Sequence, residues 1–492
     1  MIFKFFCEQL KNFFQKLLNF LALTGIGGKM STPNTHYGAK RISEMLSGVS
    51  SIYFIGIGGI NMSSLALISK RRGYAVGGSD RAESELTERL RQSGIKIFGS
   101  HKKENVIGYG AVVYTVAISP DNEEYLEAKR LGLPLISRAD FMGYIMMGYE
   151  RRVGVSGMHG KSTATSMLAT AFILGERFPT VLSGAELSLM NGAYTLGSGD
   201  DFIFEACEYM DSFLDFNPSV AVILNVELDH VDYFHSIEQI RDSFARFADI
   251  TGDNGYTVAN ADDENVALAL KNYKGNKITF GIENENADYR AVAITTKRGK
   301  YSFDVKKRGE YFCHISLSVT GYHNIYNALA TVAASDVCGL EIEKIERGLS
   351  AFVGAKRRME YRGEYGGAEL YEDYGHHPSE VKTTLEGARG LTDGRLVCVF
   401  QPHTYSRTKA LFKDFAEAFG AADRVLVSDI YAAREINDGT VSSAMLADAI
   451  GVSASYSGDI AKTAKAIKAE LKEGDVAIIM GAGDIYKVFE LL

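Results

Sequence analysis

A chain of 492 residues holds about three domains of ordinary size, and its 46% hydrophobic and 23% charged content excludes a disordered or membrane-spanning protein. A formal charge of -8 argues against nucleic acid as the main ligand, so any anion must be held by local sites. The five cysteines, Cys7, Cys207, Cys313, Cys338 and Cys398, show neither paired metal spacing nor disulfide-scaffold density, which predicts a reducing cytoplasm.

The first 29 residues stand apart. MIFKFFCEQLKNFFQKLLNFLAL is rich in Phe and Leu but broken by Lys4, Glu8, Lys11 and Lys16, so it reads as an amphipathic helix rather than a signal peptide or a membrane span. Two expectations compete for it. One is weak docking on a membrane surface without stable insertion. The other is a translated leader, with the native protein beginning at Met30. Gly27-Gly28-Lys29 can be encoded as GGA-GGU-AAA, which in a bacterial source would put a ribosome-binding sequence just ahead of the Met30 codon.

Residues 30–149 read as a first, Rossmann-like α/β domain. SIYFIGIGGINMSSLALISKRRGYAVGGSD is a strand, a glycine turn, a helix and a second strand ending at Ser79-Asp80. Gly56, Gly58 and Gly59 permit close approach to a diphosphate, and Asp80 sits where a ribose hydroxyl could be held. The third fingerprint glycine is replaced by Asn61, which disfavours a nicotinamide dinucleotide and leaves another nucleotide open. AVVYTVAI and LPLIS continue the parallel-sheet pattern.

Residues 150–354 form the central domain, a mixed sheet of the phosphate-loop ATPase type. VGVSGMHGKSTATSMLATAFILG is a buried strand, a glycine turn and a helix. In Gly157-Met158-His159-Gly160-Lys161-Ser162-Thr163 the glycines let backbone N–H groups close on an anion, and the helix N-terminus adds partial positive charge. Lys161 would reach the outer phosphates as an exposed charge that contributes nothing to packing, and Ser162 or Thr163 offers a hydroxyl to Mg2+. Val155 stands where the strict loop pattern has glycine. Downstream, Glu205, Glu208, Asp229 and His230 fall near strand ends, where a cation beside phosphates needs ligands. The stretch from Asp288 to Val319 alternates polar and apolar residues and predicts antiparallel hairpins. A helix then opens at GYHNIYNA, with Asn324 and Asn327 on one face, either presenting amides to a base edge or, for Asn324, capping the helix.

Residues 355–492 predict another Rossmann-like sheet from RLVCVFQPH, RVLVSDIY and DVAIIMGAGD. Gly481-x-Gly483-Asp484 marks a turn that could line a cleft. The adjacent His376 and His377 before Pro378, with Arg407 in HTYSRT, suggest a polar site.

From Met30 to Leu492 the ordered series GIGGINMSSLA, SGMHGKST, FEACE, NVELDH, GYHNIYNA, RRME, EDYGHHPSEV, FQPHTYSRT and MGAGDIYKV resembles the Mur ligases of peptidoglycan synthesis. The resemblance implies three α/β domains: one for the UDP part of a sugar nucleotide, with Gly56, Gly58, Gly59, Ser79 and Asp80, one for ATP, and one that brings the amino acid. It implies Lys161 on the phosphates, Ser162 and Glu205 on one Mg2+ (or Mn2+), and His230 on a second. Asn324 and Asn327 would meet adenine, Arg358 the γ-phosphate, Asp373 the ribose, and Tyr374, His376 and Arg407 the amino acid. Lys161, Glu205, His230, Arg358 and His376 would carry the chemistry.

The activity implied is ATP-dependent joining of L-alanine to the lactyl carboxylate of UDP-N-acetylmuramate through an acyl phosphate. Two departures stand out. No lysine occurs between Val231 and Ile250, so the carbamylated lysine of other members is not expected, and Thr404 stands where some alanine-adding members carry Arg. Alternatives are a ligase adding a tripeptide to the same sugar nucleotide, a folate polyglutamate ligase, a nicotinamide dehydrogenase and a non-catalytic nucleotide-binding regulator.

Overall fold

The computed structural model describes residues 32–230, 233–433 and 435–492, so the expectations for residues 1–29 lie outside the described residues. The chain divides after Met147 into two compact units. The first is built on β1 (Ser51–Ile55), β2 (Ala75–Ser79), β3 (Lys96–Phe98), β4 (Ala111–Tyr114) and β5 (Leu135–Ser137), all parallel, in the order β3-β2-β1-β4-β5. Ile52, Phe54, Val112 and Val113 are fully buried, as strands covered by helices on both faces require. The order reverses between β1 and β4, and the glycine turn leaves β1 at this switch point. Two expectations needed adjustment. Strand β4 ends at Tyr114, short of the whole AVVYTVAI run, and the brief β3 was not anticipated.

The second unit holds two sheets. The larger comprises β6 (Arg151–Ser156), β7 (Thr180–Leu187), β8 (Gly192–Thr195), β9 (Asp201–Glu205), β10 (Val220–Ile223), β11 (Tyr256–Asn260), β12 (Asn276–Gly281), β13 (Tyr289–Lys297), β14 (Lys300–Lys307) and β15 (Glu310–Thr320). Its order is β15-β14-β13-β12-β11-β10-β6-β9-β7-β8, and β13, β14 and β15 are the expected antiparallel hairpins. Strand β6 lies between β9 and β10, with Val155 opposite Glu205 and Ser156 opposite Ile223. That register delivers the phosphate loop, the Glu205 carboxylate and the segment from Leu224 to His230 to one edge of the sheet.

The third sheet contains β16 (Glu360–Tyr365), β17 (Ala368–Asp373), β18 (Leu396–Phe400), β19 (Arg424–Ser428), β20 (Ala454–Gly458) and β21 (Val476–Met480), in the order β16-β17-β21-β18-β19-β20. Parallel pairing sets Asp373 and Phe400 both opposite Met480, so the segments after β17, β18 and β21 emerge together. The Gly481 turn does not line the large cleft described below. It packs on Gln401, and Arg357 donates to the Gly481 carbonyl at 2.8 Å.

The helix Lys161–Leu174, which follows the phosphate loop, is buried along Ala164, Met167, Leu168, Ala171 and Phe172. Helix Ile342–Ala351 lies against it, and a Cβ on Gly348 would fall 2.4 Å from Ala171 Cα. Gly348→Ala should therefore cost about 1–3 kcal/mol through overpacking and lower the midpoint of thermal unfolding. An unchanged midpoint would contradict this close packing.

Candidate active site

In the first unit Gly56 adopts φ +82°, and a Cβ there would meet Thr115 Cγ2 at 2.6 Å, so the turn requires glycine. The Asp80 carboxylate accepts from Gly58 N at 2.9 Å and clamps the turn from beneath. Gly59 is the residue before the helix Ile60–Arg71. Ser79 is fully buried: its hydroxyl donates to Glu124 at 2.6 Å and lies 2.9 Å from His101 Nδ1. Tyr53 donates to the same carboxylate at 2.7 Å. Burial works against the Glu124 charge, yet the bonds from His101, Ser79, Asn105 and Tyr53 outweigh it and hold the carboxyl below its ordinary range. Sequence reasoning missed Glu124, since nothing in EEYLEAKR sets it apart from Glu123 and Glu127 as the buried one.

In the second unit the phosphate loop runs from β6 to its helix through Gly157 at φ +139° and Gly160 at φ +80°. A Cβ on Gly160 would come within 2.6 Å of Asn327 Oδ1. Asn225 brackets the loop from both sides: its Oδ1 accepts from His159 N at 2.9 Å, and its Nδ2 donates to His159 O at 3.0 Å. Asn225 opens the NVELDH run but was given no role from sequence.

Lys161 departs from expectation. It is not an exposed charge: its side chain is 13% accessible and pairs at 3.1 Å with Glu208, which is 0% accessible. The Lys161 ammonium also donates to Gly157 O and Met158 O. Burial lowers the lysine, but Glu208, then Cys207 and Glu205, raise it above its ordinary value, so it stays charged. Glu208 accepts in addition from His230 Nε2, 3.1 Å away. Burial disfavours the Glu208 charge, and Lys161 and His230 together hold its pKa below the ordinary value.

Ser162 Oγ donates to Glu205 Oε2 at 2.8 Å, and Gly184 N donates to the same oxygen at 2.9 Å. Among the described residues no three His, Cys, Asp or Glu side chains form a metal-binding group. A hydroxyl and one carboxylate beside a phosphate loop nevertheless fit Mg2+, which takes one or two protein oxygens and completes its shell with phosphates and water. His230 is instead brought to Glu208, and Asp229, the preceding residue, lies 3.7 Å from Arg407. For Asp229, burial raises the carboxyl, and His230 and Arg407 bring it below its usual value.

Beside the loop lies a cleft of about 560 Å³ lined by His159, Gly160, Thr163, Asn324, Asn327, Arg358 and Asp373, among others. Gly157, Met158, Lys161 and Ser162 belong to the loop but do not line this cleft. Asn324 does not cap its helix: its Nδ2 donates to Thr320 O at 2.7 Å, and its Oδ1 accepts from Asn327 at 2.9 Å. Asp373 accepts from Gly375 N at 2.7 Å and Met359 N at 2.9 Å. Burial raises its pKa to about 6, with Arg358 and the two N–H groups opposing.

Arg358 stacks over Tyr374 at 5.4 Å. His376 packs edge-on against Tyr374, with ring centres 5.5 Å apart. Burial lowers the His376 pKa to about 4; Glu380 opposes this and Arg407 adds to it, so the imidazole is neutral at pH 7. Thr404 does not reproduce an arginine's charge, and its hydroxyl donates to Glu435 at 2.7 Å. Glu380 is a further residue that sequence reasoning left without a role. Its Oε2 accepts from His376 N at 2.9 Å and His377 N at 3.2 Å, and its Oε1 faces His159 and Arg358.

Three family descriptions match the chain: "Mur ligase family, catalytic domain" over residues 51–150, "Mur ligase middle domain" over 155–335, and "Mur ligase, glutamate ligase domain" over 357–483. UDP-N-acetylmuramate--L-alanine ligase of Caldanaerobacter subterraneus subsp. tengcongensis is 46% identical over 443 residues, covering 89% of this chain and 96% of the relative. The Clostridium perfringens enzyme of the same name is 42% identical, covering 89% and 97%. Among solved structures, UDP-N-acetylmuramate-alanine ligase of Thermotoga maritima superposes with a TM-score of 0.74 at 29% identity, covering 90% of this chain and 97% of that one. The murein peptide ligase of Psychrobacter arcticus, at 24% identity and a TM-score of 0.66, shares the fold. With the three domain matches in order and this identity along nearly the whole length of its relatives, the chain belongs to the Mur ligase family.

Proposed function

We propose that the chain joins L-alanine to the lactyl carboxylate of UDP-N-acetylmuramate with conversion of ATP to ADP and phosphate, a step of peptidoglycan synthesis in the cytoplasm. The observation that carries this reading is the convergence at one place of a phosphate loop, its buried Lys161–Glu208 pair, and the Arg358, Tyr374, His376 and Arg407 group. Among the described residues no helix is long and apolar enough to cross a membrane. In this reading residues 30–149 hold the UDP sugar through Gly56, Gly58, Gly59 and Asp80, while Ser79, expected among the contacts but fully buried, accepts from Gly56 N and Ile57 N and shapes the turn from within; residues 150–354 hold ATP, and residues 355–492 hold the amino acid.

A carboxylate is a poor electrophile, so it first attacks the γ-phosphorus of ATP, displaces ADP and becomes an acyl phosphate. Backbone N–H groups of the loop other than those of Met158 and His159, which Asn225 holds, cradle the phosphates. Lys161 and Arg358 stabilise the charge that spreads over the transferring group. Ser162 and Glu205 would hold Mg2+ or Mn2+, which when bound neutralises phosphate charge, whereas His230, held by Glu208, would have to leave that carboxylate to meet a second ion. Asn324 and Asn327 face adenine, and Asp373 accepts from the ribose. Arg407 holds the carboxylate of alanine, and Tyr374 and His376 line its place. The free amine then attacks the acyl carbon, the C–O bond to phosphate breaks, and an amide remains. At a pKa of about 4, His376 is a neutral acceptor that orients the amine rather than a strong base, so a phosphate oxygen takes the proton.

ADP release should require UDP-N-acetylmuramate and rise with L-alanine far more than with L-serine, glycine or a peptidoglycan tripeptide. A tripeptide preference would favour the murein-peptide alternative, and nucleotide binding with no amide product would favour a regulator. Replacing Arg407 by Ala should raise the alanine KM far more than the ATP KM, by about 1.5–3 kcal/mol for a lost charge-assisted bond; equal changes would refute its role.

Lys161→Ala should abolish ligation and also destabilise the protein by about 3–5 kcal/mol, since Glu208 is left buried without its ammonium partner. Normal turnover would sink the loop assignment, and an unchanged melting midpoint would sink the pair. Asp373 has its pKa raised to about 6, so it gains a proton as pH falls through 6 and loses acceptor capacity for the ribose. ATP affinity should therefore weaken below pH 6 in the parent protein and stay flat in Asp373→Asn. A parent profile that is flat from pH 5 to 7 would contradict the assignment.

A further inference from the structure

The His159 backbone belongs to the phosphate loop, and its side chain reaches along the cleft wall to the third sheet's domain. Nε2 lies 3.4 Å from Glu227 Oε2 and 2.8 Å from Ser379 Oγ, and Nδ1 lies 3.4 Å from Glu380 Oε1. The His377 ring packs against it with centres 5.2 Å apart. Glu227 follows β10 in the central part, whereas Ser379 and Glu380 open the helix Pro378–Ala388 of the third sheet's domain. One imidazole thus spans two carboxylates contributed by sequence regions on either side of the predicted boundary at residue 354.

Glu380 makes the contact consequential. While Oε1 faces His159 and, at 4.0 Å, Arg358, Oε2 holds the backbone N–H groups of His376 and His377. Asn225 fixes the other end by clamping the His159 backbone through both its N–H and its carbonyl. The phosphate loop and the segment that carries His376 thus meet at one imidazole.

We propose that the His159 side chain is a positioning residue that couples the phosphate loop to the alanine-contacting segment from Tyr374 to Ser379, by bridging Glu227 and Glu380. The proposal rests on the ligase reading above. A cation suits this place: burial lowers the imidazole pKa, but Glu227 and then Glu380 outweigh it and bring it to about 9. Other charged or titratable neighbours are Arg358 and His376, which share Glu380, His377, and Asp229, whose charge acts on His377.

The test compares the parent protein with His159→Gln, Glu380→Gln and the double variant. His159→Gln should raise the alanine KM about tenfold or more and by a clearly larger factor than it changes ADP affinity by equilibrium titration, and the double variant should be no worse than the poorer single one. An unmoved alanine KM, or effects that multiply in the double variant, would overturn the coupling. If Glu380→Gln fails to fold, Ser379→Ala takes its place in the cycle with the same expectation. Parent protein with no alanine-dependent ADP release would instead refute the ligase reading itself.

Discussion

The site depends on one buried ion pair. Glu208 is wholly removed from water, and a carboxylate so placed is tolerable only with a partner at hand. Lys161 supplies that partner while also donating to the Gly157 and Met158 carbonyls, which fixes the curl of the loop from inside. His230 meets the same carboxylate, so the lysine that would touch phosphate and the histidine after the NVELD segment are joined through Glu208. In the proposed reading, an arriving polyphosphate competes with Glu208 for an ammonium already in position.

Sheet topology explains why distant residues reach this pair. Parallel neighbours on both sides of β6 place Glu205 and the segment after β10 beside the loop, and the matching edge of the third sheet carries Asp373, the Tyr374–Glu380 segment and the run to Arg407. The glycine turns, the buried strand runs and the hairpins of β13 to β15 were legible in the sequence because each is a local pattern of period or of backbone freedom. The phosphate loop was legible despite Val155, because glycine, lysine and hydroxyl spacing fell at a strand-to-helix junction.

What escaped was the pairing of groups far apart in sequence. Lys161 looked exposed because nothing local reveals that Glu208 closes over it. Asn225, Glu380 and Glu124 looked like ordinary polar residues, since their roles come from bonds to backbone or side chains that only the folded chain brings near. Capping was one of two readings open for Asn324, and the structure removes it, because the amide donates to Thr320 O and accepts from Asn327 while the residue lines the cleft. Among rival activities, a nicotinamide dehydrogenase explains the first glycine turn but leaves the Lys161–Glu208–His230 chain and the Arg358 cleft without purpose. Relatives at 42–46% identity bear the name of an alanine-adding ligase, whereas the murein peptide ligase likeness is one of fold.

The central claim is that the carboxylate of the sugar nucleotide attacks phosphorus and is carried to the amide as an acyl phosphate. The direct measurement is oxygen transfer: UDP-N-acetylmuramate labelled with 18O in its lactyl carboxylate is turned over with ATP and L-alanine, and the inorganic phosphate is analysed by mass. Attack by the carboxylate predicts one 18O atom in each phosphate derived from fully labelled substrate. Unlabelled phosphate formed alongside the amide would contradict the account.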